Sequence, residues 1–178
     1  MRTVTLTKET TKDILENLLK RSPNQYGSYE TAVREILAKI QEEGDGALFA
    51  YTKKFDRAEI TEQNVRVTDE EIREAYETVD PALVDVIRKS LVNIRNYHEK
   101  QKQNSWFTSS EDGTMLGQKV TPLEKVGVYV PGGKAVYPSS VLMNIVPAKV
   151  AGVDRIIMTT PPGPDGKVNP STLVAANE

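Results

Sequence analysis

Val126-Gly127-Val128-Tyr129-Val130-Pro131-Gly132-Gly133-Lys134-Ala135-Val136-Tyr137-Pro138-Ser139-Ser140 and, further on, Arg155-Ile156-Ile157-Met158-Thr159-Thr160-Pro161-Pro162 form the stretch that decides the fold. Val126 to Val130 is a short apolar run, β-prone in composition, and reads as a buried strand. Pro131-Gly132-Gly133 breaks it, because Pro cannot donate to a ladder and Gly tolerates turn geometry. A helix is predicted from about Pro138 to Gly152, with Pro147 placed to kink it. Arg155 to Thr160 is a second strand, closed by Pro161-Pro162. Strand, Gly-containing loop, helix and strand make a βαβ unit, so the two strands should run parallel with a right-handed crossover.

Working outward, Asn169-Pro170 opens a further helix through Leu173, Val174 and Ala175, and the sequence stops at Asn177-Glu178 about two turns later. A doubly wound sheet needs more strands than this, which points to a portion of a longer protein. Upstream, Trp106-Phe107-Thr108 and the segment from Met115 to Val120 flank Asp112-Gly113, the signal of a β-hairpin.

The first hundred residues read as helices. Ile14, Leu15, Leu18 and Leu19 recur at helical spacing in a segment ending near Ser22-Pro23. Ser28 is placed to cap a helix whose apolar face is Val33, Ile36, Leu37 and Ile40. Gly44 should end it, and Asp45 should open another helix carrying Leu48, Phe49 and Phe55. Val65-Arg66-Val67 alternates as a short strand would. Thr68-Asp69-Glu70-Glu71 fits the reciprocal capping pattern, ahead of a helix with Ile72, Ala75, Tyr76 and Val79. Asp80-Pro81 starts a long helix with Leu83, Ile87, Leu91, Ile94 and Tyr97 as its stripe.

Bulk properties narrow the function. The chain has 178 residues, 38% hydrophobic and 27% charged, with net charge -2. A near-neutral balance supplies no basic field for a phosphate backbone, so nucleic acid is not an expected partner. Without Cys there is no disulfide framework, thiolate zinc site or Cys nucleophile. The N-terminus has no apolar signal-peptide core, and no run approaches a membrane span of ~20 apolar residues. A cytoplasmic protein is the simple expectation.

The loop from Pro131 to Ser140 lies where ligands bind in open α/β sheets, at the carboxyl end of a strand and ahead of a helix. It lacks both the G-x-G-x-x-G spacing of a dinucleotide fingerprint and the P-loop pattern. The spacing therefore leaves two readings open, an anion- or cofactor-binding loop and a tight turn that merely connects two elements. Tyr129 is likewise either a ligand contact or a half-buried packing residue. His98, the only histidine, sits on the polar shoulder of a helix and reads as a surface residue. With no second His and no Cys, no mononuclear zinc site of the usual ligand set is predicted. The acidic pairs Glu42-Glu43 and Glu70-Glu71 read as helix-end charges. No catalytic residue and no metal ligand is assigned.

Beyond these local readings, Val126 to Gly133, Tyr137 to Asn144, Pro147 to Val153 and Arg155 to Pro162 together resemble the histidinol dehydrogenase family. Gly44-Asp45-Gly46-Ala47-Leu48 with Tyr51 to Asp56 is similar to it as well. The resemblance covers most of the chain and is weakest before about residue 25. It implies the amino-terminal portion of a zinc-dependent homodimer that oxidises L-histidinol to L-histidine with two NAD, in histidine biosynthesis. The implied fold is α/β: an N-terminal helical region, a β-hairpin, and the first βαβ unit of an incomplete Rossmann-like domain. Residues 1–24 would be a dimerisation arm, 25–125 the first part of one main domain, and 126–178 the start of the other. The family's NAD-contacting tyrosine falls on Tyr129, with Pro131 and Gly132 as weaker neighbours. The family's zinc ligands and catalytic Glu–His pair belong to later segments, and family chains are more than twice this long. The chain alone is therefore expected to be inactive. The alternative is a short non-catalytic association or regulatory protein derived from the family. A self-sufficient dehydrogenase of different chemistry is disfavoured by the lack of an acid/base cluster.

Overall fold

The computed structural model describes residues 5, 7–19, 27–133 and 135–178. The chain divides into two compact units, Met1–Leu48 and Phe49–Glu178. In the first, α1 spans Lys8–Leu19. It opens on a reciprocal pair, in which the Thr10 N–H donates to Thr7 Oγ1 at 3.1 Å and the Thr7 N–H donates to Thr10 Oγ1 at 2.7 Å. Its predicted end near Ser22-Pro23 lies outside the described residues. The second helix, α2, spans Gly27–Glu43, so Ser28 lies inside the helix rather than ahead of it as a cap. Its expected apolar face is present but thinly covered: Ile36 and Ile40 are half-buried, whereas Val33 and Leu37 are exposed. Gly44, at φ +63°, ends α2 in the left-handed region as expected, and α3 (Asp45–Phe55) follows. The boundary between the units falls within α3.

In the second unit the capping signals are realised. Helix α4 (Asp69–Thr78) opens with the Glu71 N–H donating to Thr68 Oγ1 at 3.2 Å and the Thr68 N–H donating to Glu71 Oε2 at 2.8 Å. Helix α5 (Pro81–Glu99) opens with the Ala82 N–H donating to Asp80 Oδ1 at 2.8 Å, and Pro81 occupies its first turn. The inward stripe of α5 matches the predicted one at Ile87, Leu91 and Ile94 and departs from it at the two ends. Val84 and Ile87 are buried and Leu91 and Ile94 half-buried, while Leu83 and Tyr97 face outward. The partner surface decides this, because α5 packs on α6 and α7 along one line and a 3.6-residue repeat cannot say where that line falls.

Val65-Arg66-Val67 is not a strand but part of a bend. The Val65 N–H donates to Thr61 O at 2.9 Å, and Asn64 Oδ1 accepts from the Thr61 N–H at 2.6 Å. Local side-chain bonding of this kind offers the backbone an alternative to a ladder. The hairpin does form. Its strands β1 (Trp106–Ser109) and β2 (Met115–Gln118) are antiparallel, with Phe107 opposite Gly117 and Thr108 opposite Leu116. Gly113 takes the turn at φ +84°.

Strand β3 (Lys125–Tyr129) pairs in parallel with β4 (Arg155–Thr159), Tyr129 opposite Thr159, across the helix α6 (Pro138–Ala151). This is the strand–helix–strand unit read from the sequence. Pro147 lies inside α6, and Gly152 closes the helix at φ +90°. The sheet is covered on one face only. Val126, Val128, Ile156 and Met158 point inward, half-buried, while Gly127, Tyr129, Ile157 and Thr159 stand exposed on the other face. The strand expected to be fully buried is thus half-buried along its length, reaching full burial only at Val130 just beyond it.

The last helix, α7 (Pro170–Asn177), is capped by Asn169, whose Oδ1 accepts from the Ser171 N–H at 3.0 Å. Eight residues are too few for a stable isolated helix. Its stability comes from packing on α4 and α6, which buries Thr172, Leu173, Val174 and Ala175 in succession. Val130, Val141 and Val174 are the largest fully buried side chains, each worth about 1.5–3 kcal/mol relative to exposure. The fold is therefore a mixed α/β arrangement of seven helices and two strand pairs among the described residues. No helix among them is long and apolar enough to cross a membrane.

Candidate functional site

Beyond the carboxyl ends of β3 and β4 the chain leaves a cleft of about 1020 Å³. Its near side is the loop after β3, with Tyr129, Pro131, Gly132 and Gly133 all lining it. The three residues singled out from the sequence as cofactor contacts are therefore brought to one cavity wall. Tyr129 ends β3 on the uncovered face, with 64% of it exposed among the described residues. Gly133 holds φ +96°, a conformation that turns the chain away from the strand and that side chains resist. Gly132 lies where the loop meets its neighbour. A Cβ there would touch Thr160 Oγ1 and Pro161 at 3.4 Å and narrow the space between the two loops.

The opposite loop, Thr160 to Pro170, was not read as part of a site. It doubles back through a tight turn in which the Gly163 N–H donates to Lys167 O at 2.8 Å and the Gly166 N–H donates to Gly163 O at 2.9 Å. Asp165 Oδ1 accepts from the Lys167 N–H at 3.1 Å and fixes the turn from within. The Lys167 ammonium, 3.0 Å from Glu74 Oε2, is paired with a carboxylate on α4, and that partner raises its pKa above the usual lysine value. Phe55 and Asp56, at the end of α3, complete the lining. The sequence marks Phe55 as an apolar helix position inside a family-like segment and assigns it no site role. A separation of 74 residues from Tyr129 leaves no local signal that could join the two (129 minus 55).

The cleft offers an exposed aromatic ring, glycine backbone and carboxylates, and no histidine lines it. His98 lies on α5, half-buried, with Nδ1 2.7 Å from Gln101 Oε1 and its ring edge-on to Tyr97. Among the described residues, no group of three or more His, Cys, Asp or Glu is placed to hold a metal ion. The described residues therefore do not make a zinc site. They do fit a planar, polar organic ligand, which an exposed tyrosine and a backbone kept free of side chains at Gly132 can approach closely.

A model of the histidinol dehydrogenase family matches residues 19–178. The chain is 53% identical over 163 residues to the histidinol dehydrogenase of Heliobacterium mobile, covering 92% of this chain and 38% of that protein. It is 57% identical over 146 residues to that of Bacillus subtilis, covering 82% and 34%. The crystal structure of histidinol dehydrogenase from Elizabethkingia anophelis superposes with a TM-score of 0.77 at 37% identity, over 83% of this chain and 34% of that one. The chain thus spans a little over a third of the length of the relatives it matches. With the family model covering nearly the whole sequence, and the same fold in a solved relative, the chain belongs to the histidinol dehydrogenase family.

Proposed function

We propose that this chain supplies the cofactor-positioning part of an NAD-dependent histidinol dehydrogenase, whose complete form oxidises L-histidinol to L-histidine. The observation that carries this reading is the convergence of Tyr129, Pro131 and Gly132 on one cleft at the carboxyl ends of two parallel strands, where open α/β sheets bind ligands. Two NAD, bound in turn, would supply the two hydride acceptors that carry the alcohol through the aldehyde to the acid. The chain's own residues bind and orient: Tyr129 offers a ring face, and Gly132 and Gly133 let the backbone come close. In the same reading, residues 1–24 serve a homodimer as an arm, 25–125 open one main domain, and 126–178 open a Rossmann-like second. Zinc and the proton-transferring groups are held by segments outside these residues, in a cytoplasmic enzyme.

Because proton transfer needs a positioned acid/base, the 178-residue chain alone should not oxidise histidinol even with zinc and NAD present. The test is a paired assay. NADH formation from histidinol is followed for the chain alone and for the chain extended with the remaining length of the Bacillus subtilis relative. Activity confined to the extended protein, and lowered there by Tyr129→Ala, is the expected result. Equal activity without the extension would refute the division of labour.

A further inference from the structure

The chain carries three Asp-Gly pairs, Asp45-Gly46, Asp112-Gly113 and Asp165-Gly166, and the fold gives each a different setting. The pairing matters chemically because glycine, without a Cβ, presents the least hindered backbone amide to the carboxyl of the residue before it. Where that nitrogen can reach the carboxyl carbon, a five-membered ring can close.

At Asp112-Gly113 the two groups are brought together. Asp112 Oδ1 accepts from the Thr114 N–H at 2.9 Å, so the carboxyl is folded back along the chain across Gly113 instead of standing out in water. Gly113 holds φ +84°, and the space a Cβ would occupy is open, so nothing crowds the approach. The turn is held by the Ser110 N–H donating to Thr114 O at 2.8 Å and the Gly113 N–H donating to Ser110 O at 3.0 Å. Every residue of β1, the turn and β2 is exposed. Deforming the turn therefore disturbs a marginal two-stranded ribbon and leaves the core alone.

The other two pairs lack that freedom. Asp165-Gly166 is bonded in a similar way, with Asp165 Oδ1 accepting from the Lys167 N–H at 3.1 Å and the Gly166 N–H donating to Gly163 O at 2.9 Å. That turn, however, is pinned from several directions. A Cβ at Gly166 would lie 3.8 Å from Ile60, Lys167 is paired with Glu74 on α4, and Val168 packs against the core. Asp45 and Gly46 form the start of α3, beside the fully buried Ala47, and ring closure there requires the helical dihedrals to be given up.

We propose that Asp112 is a site of covalent self-modification, converting to isoaspartate through a cyclic imide closed by the Gly113 amide. The Gly113 nitrogen bonds to Asp112 Cγ, and the carboxyl hydroxyl leaves with the amide proton as water. Water then adds back to one of the two imide carbonyls. Opening at the carbonyl of the former side chain restores Asp112. Opening at the original main-chain carbonyl leaves the chain running through the side-chain carbon, with the α-carboxylate as the new side group. The only co-reactant is water. The added main-chain carbon lies inside the turn, so the Ser110–Thr114 bond loses its register and the ribbon loosens from its tip.

The test incubates the chain for weeks at mildly acidic pH, folded in buffer and unfolded in urea. Isoaspartate is then measured at each pair by peptide mapping with fragmentation that distinguishes the isomers. Unfolded, the three pairs should react at similar rates. Folded, Asp45 and Asp165 should fall at least roughly tenfold behind Asp112, the factor set by about 1.4 kcal/mol of local opening. Asp112→Glu, whose ring would have six members, should lose the product at that position. Its Ser110 amide should keep after ageing the hydrogen-exchange protection that the isomerised wild type loses. Isoaspartate spread evenly over the three pairs of the folded chain, or concentrated at Asp45 or Asp165, would overturn the proposal. So would its absence from Asp112 in folded protein when the unfolded chain forms it.

Discussion

Two parts of the second unit, both rich in apolar residues, end up in opposite states. In the layer formed by α5, α6 and α7, apolar residues vanish from solvent: Val141 and Val174 are fully buried, and Leu142, Val146, Val150 and Leu173 nearly so. In the β1–β2 hairpin every residue of both strands is exposed. Trp106 and Leu116 lie on one face and Phe107 and Met115 on the other. An isolated two-stranded ribbon is marginal in water. Here cross-strand contact does the holding, with the Phe107 ring lying over Gly117 so closely that a Cβ there would overlap it. The contrast teaches that apolar composition sets the capacity for burial, while the number of elements meeting at a place sets how much of it is used.

The sharpest way to break this comparison is to place a charge in the packed layer. Val141→Asp buries an unpaired carboxylate among Val130, Leu142 and Val174, and should cost more than about 4 kcal/mol, abolishing a cooperative urea transition. Next in size is the tie at the end of α7. Glu178 accepts from Arg88 Nη2 at 2.7 Å and from the Tyr76 hydroxyl at 2.9 Å, with only 14% of its side chain exposed. Hydrogen bonding from Arg88 holds its carboxyl below the ordinary glutamate value. A pKa lower in the folded state means the stabilisation is complete above the unfolded value near 4.5 and is lost as pH falls through the depressed one. Glu178→Gln should therefore lower the melting temperature at neutral pH and flatten its fall below pH 4.5, as read by calorimetry. A melting curve with the same acid limb in both proteins would remove the tie from the account.

Thr68→Ala removes half of the reciprocal cap on α4, and about 1 kcal/mol should disappear from the urea-unfolding free energy. Smallest of all, Leu116→Ala in the hairpin should change that free energy by less than about 0.5 kcal/mol. A larger loss in the monomer would mean that the ribbon is coupled to the core, and the contrast drawn above would weaken.

What the sequence made legible was chiefly local chemistry. Thr68 with Glu71, Asp80 with Pro81, Gly44, and Asp112-Gly113 each satisfy or release backbone groups within a few residues, and each did in the structure what its type predicts. The parallel pair β3–β4 followed from strand, loop and helix in succession. Readings that depended on distant partners fared less well. Val84 rather than Leu83 faces inward, because α6 and α7 decide which line of α5 is covered. Among the described residues, α6 lies against one face of β3 and the outer face is exposed. At the cleft, the residues from Tyr129 to Gly132 were visible as a strand-end loop, and their family likeness lent them a role. Phe55 and Asp56, though in a family-like segment, and the Gly163–Lys167 turn carried no sign of a place at the cleft, since nothing local marks residues that meet only after the chain has folded back on itself.

The tie at Glu178 has a consequence in time as well as in energy. Arg88 and its partner are 90 residues apart, and Tyr76 is 102 residues from the same carboxylate. On a ribosome adding about 5–20 residues per second, α4 and α5 emerge roughly 5–20 seconds before Glu178 exists to bridge them. Through that interval the inward faces of Ala75, Val84 and Ile87 wait for α6 and α7.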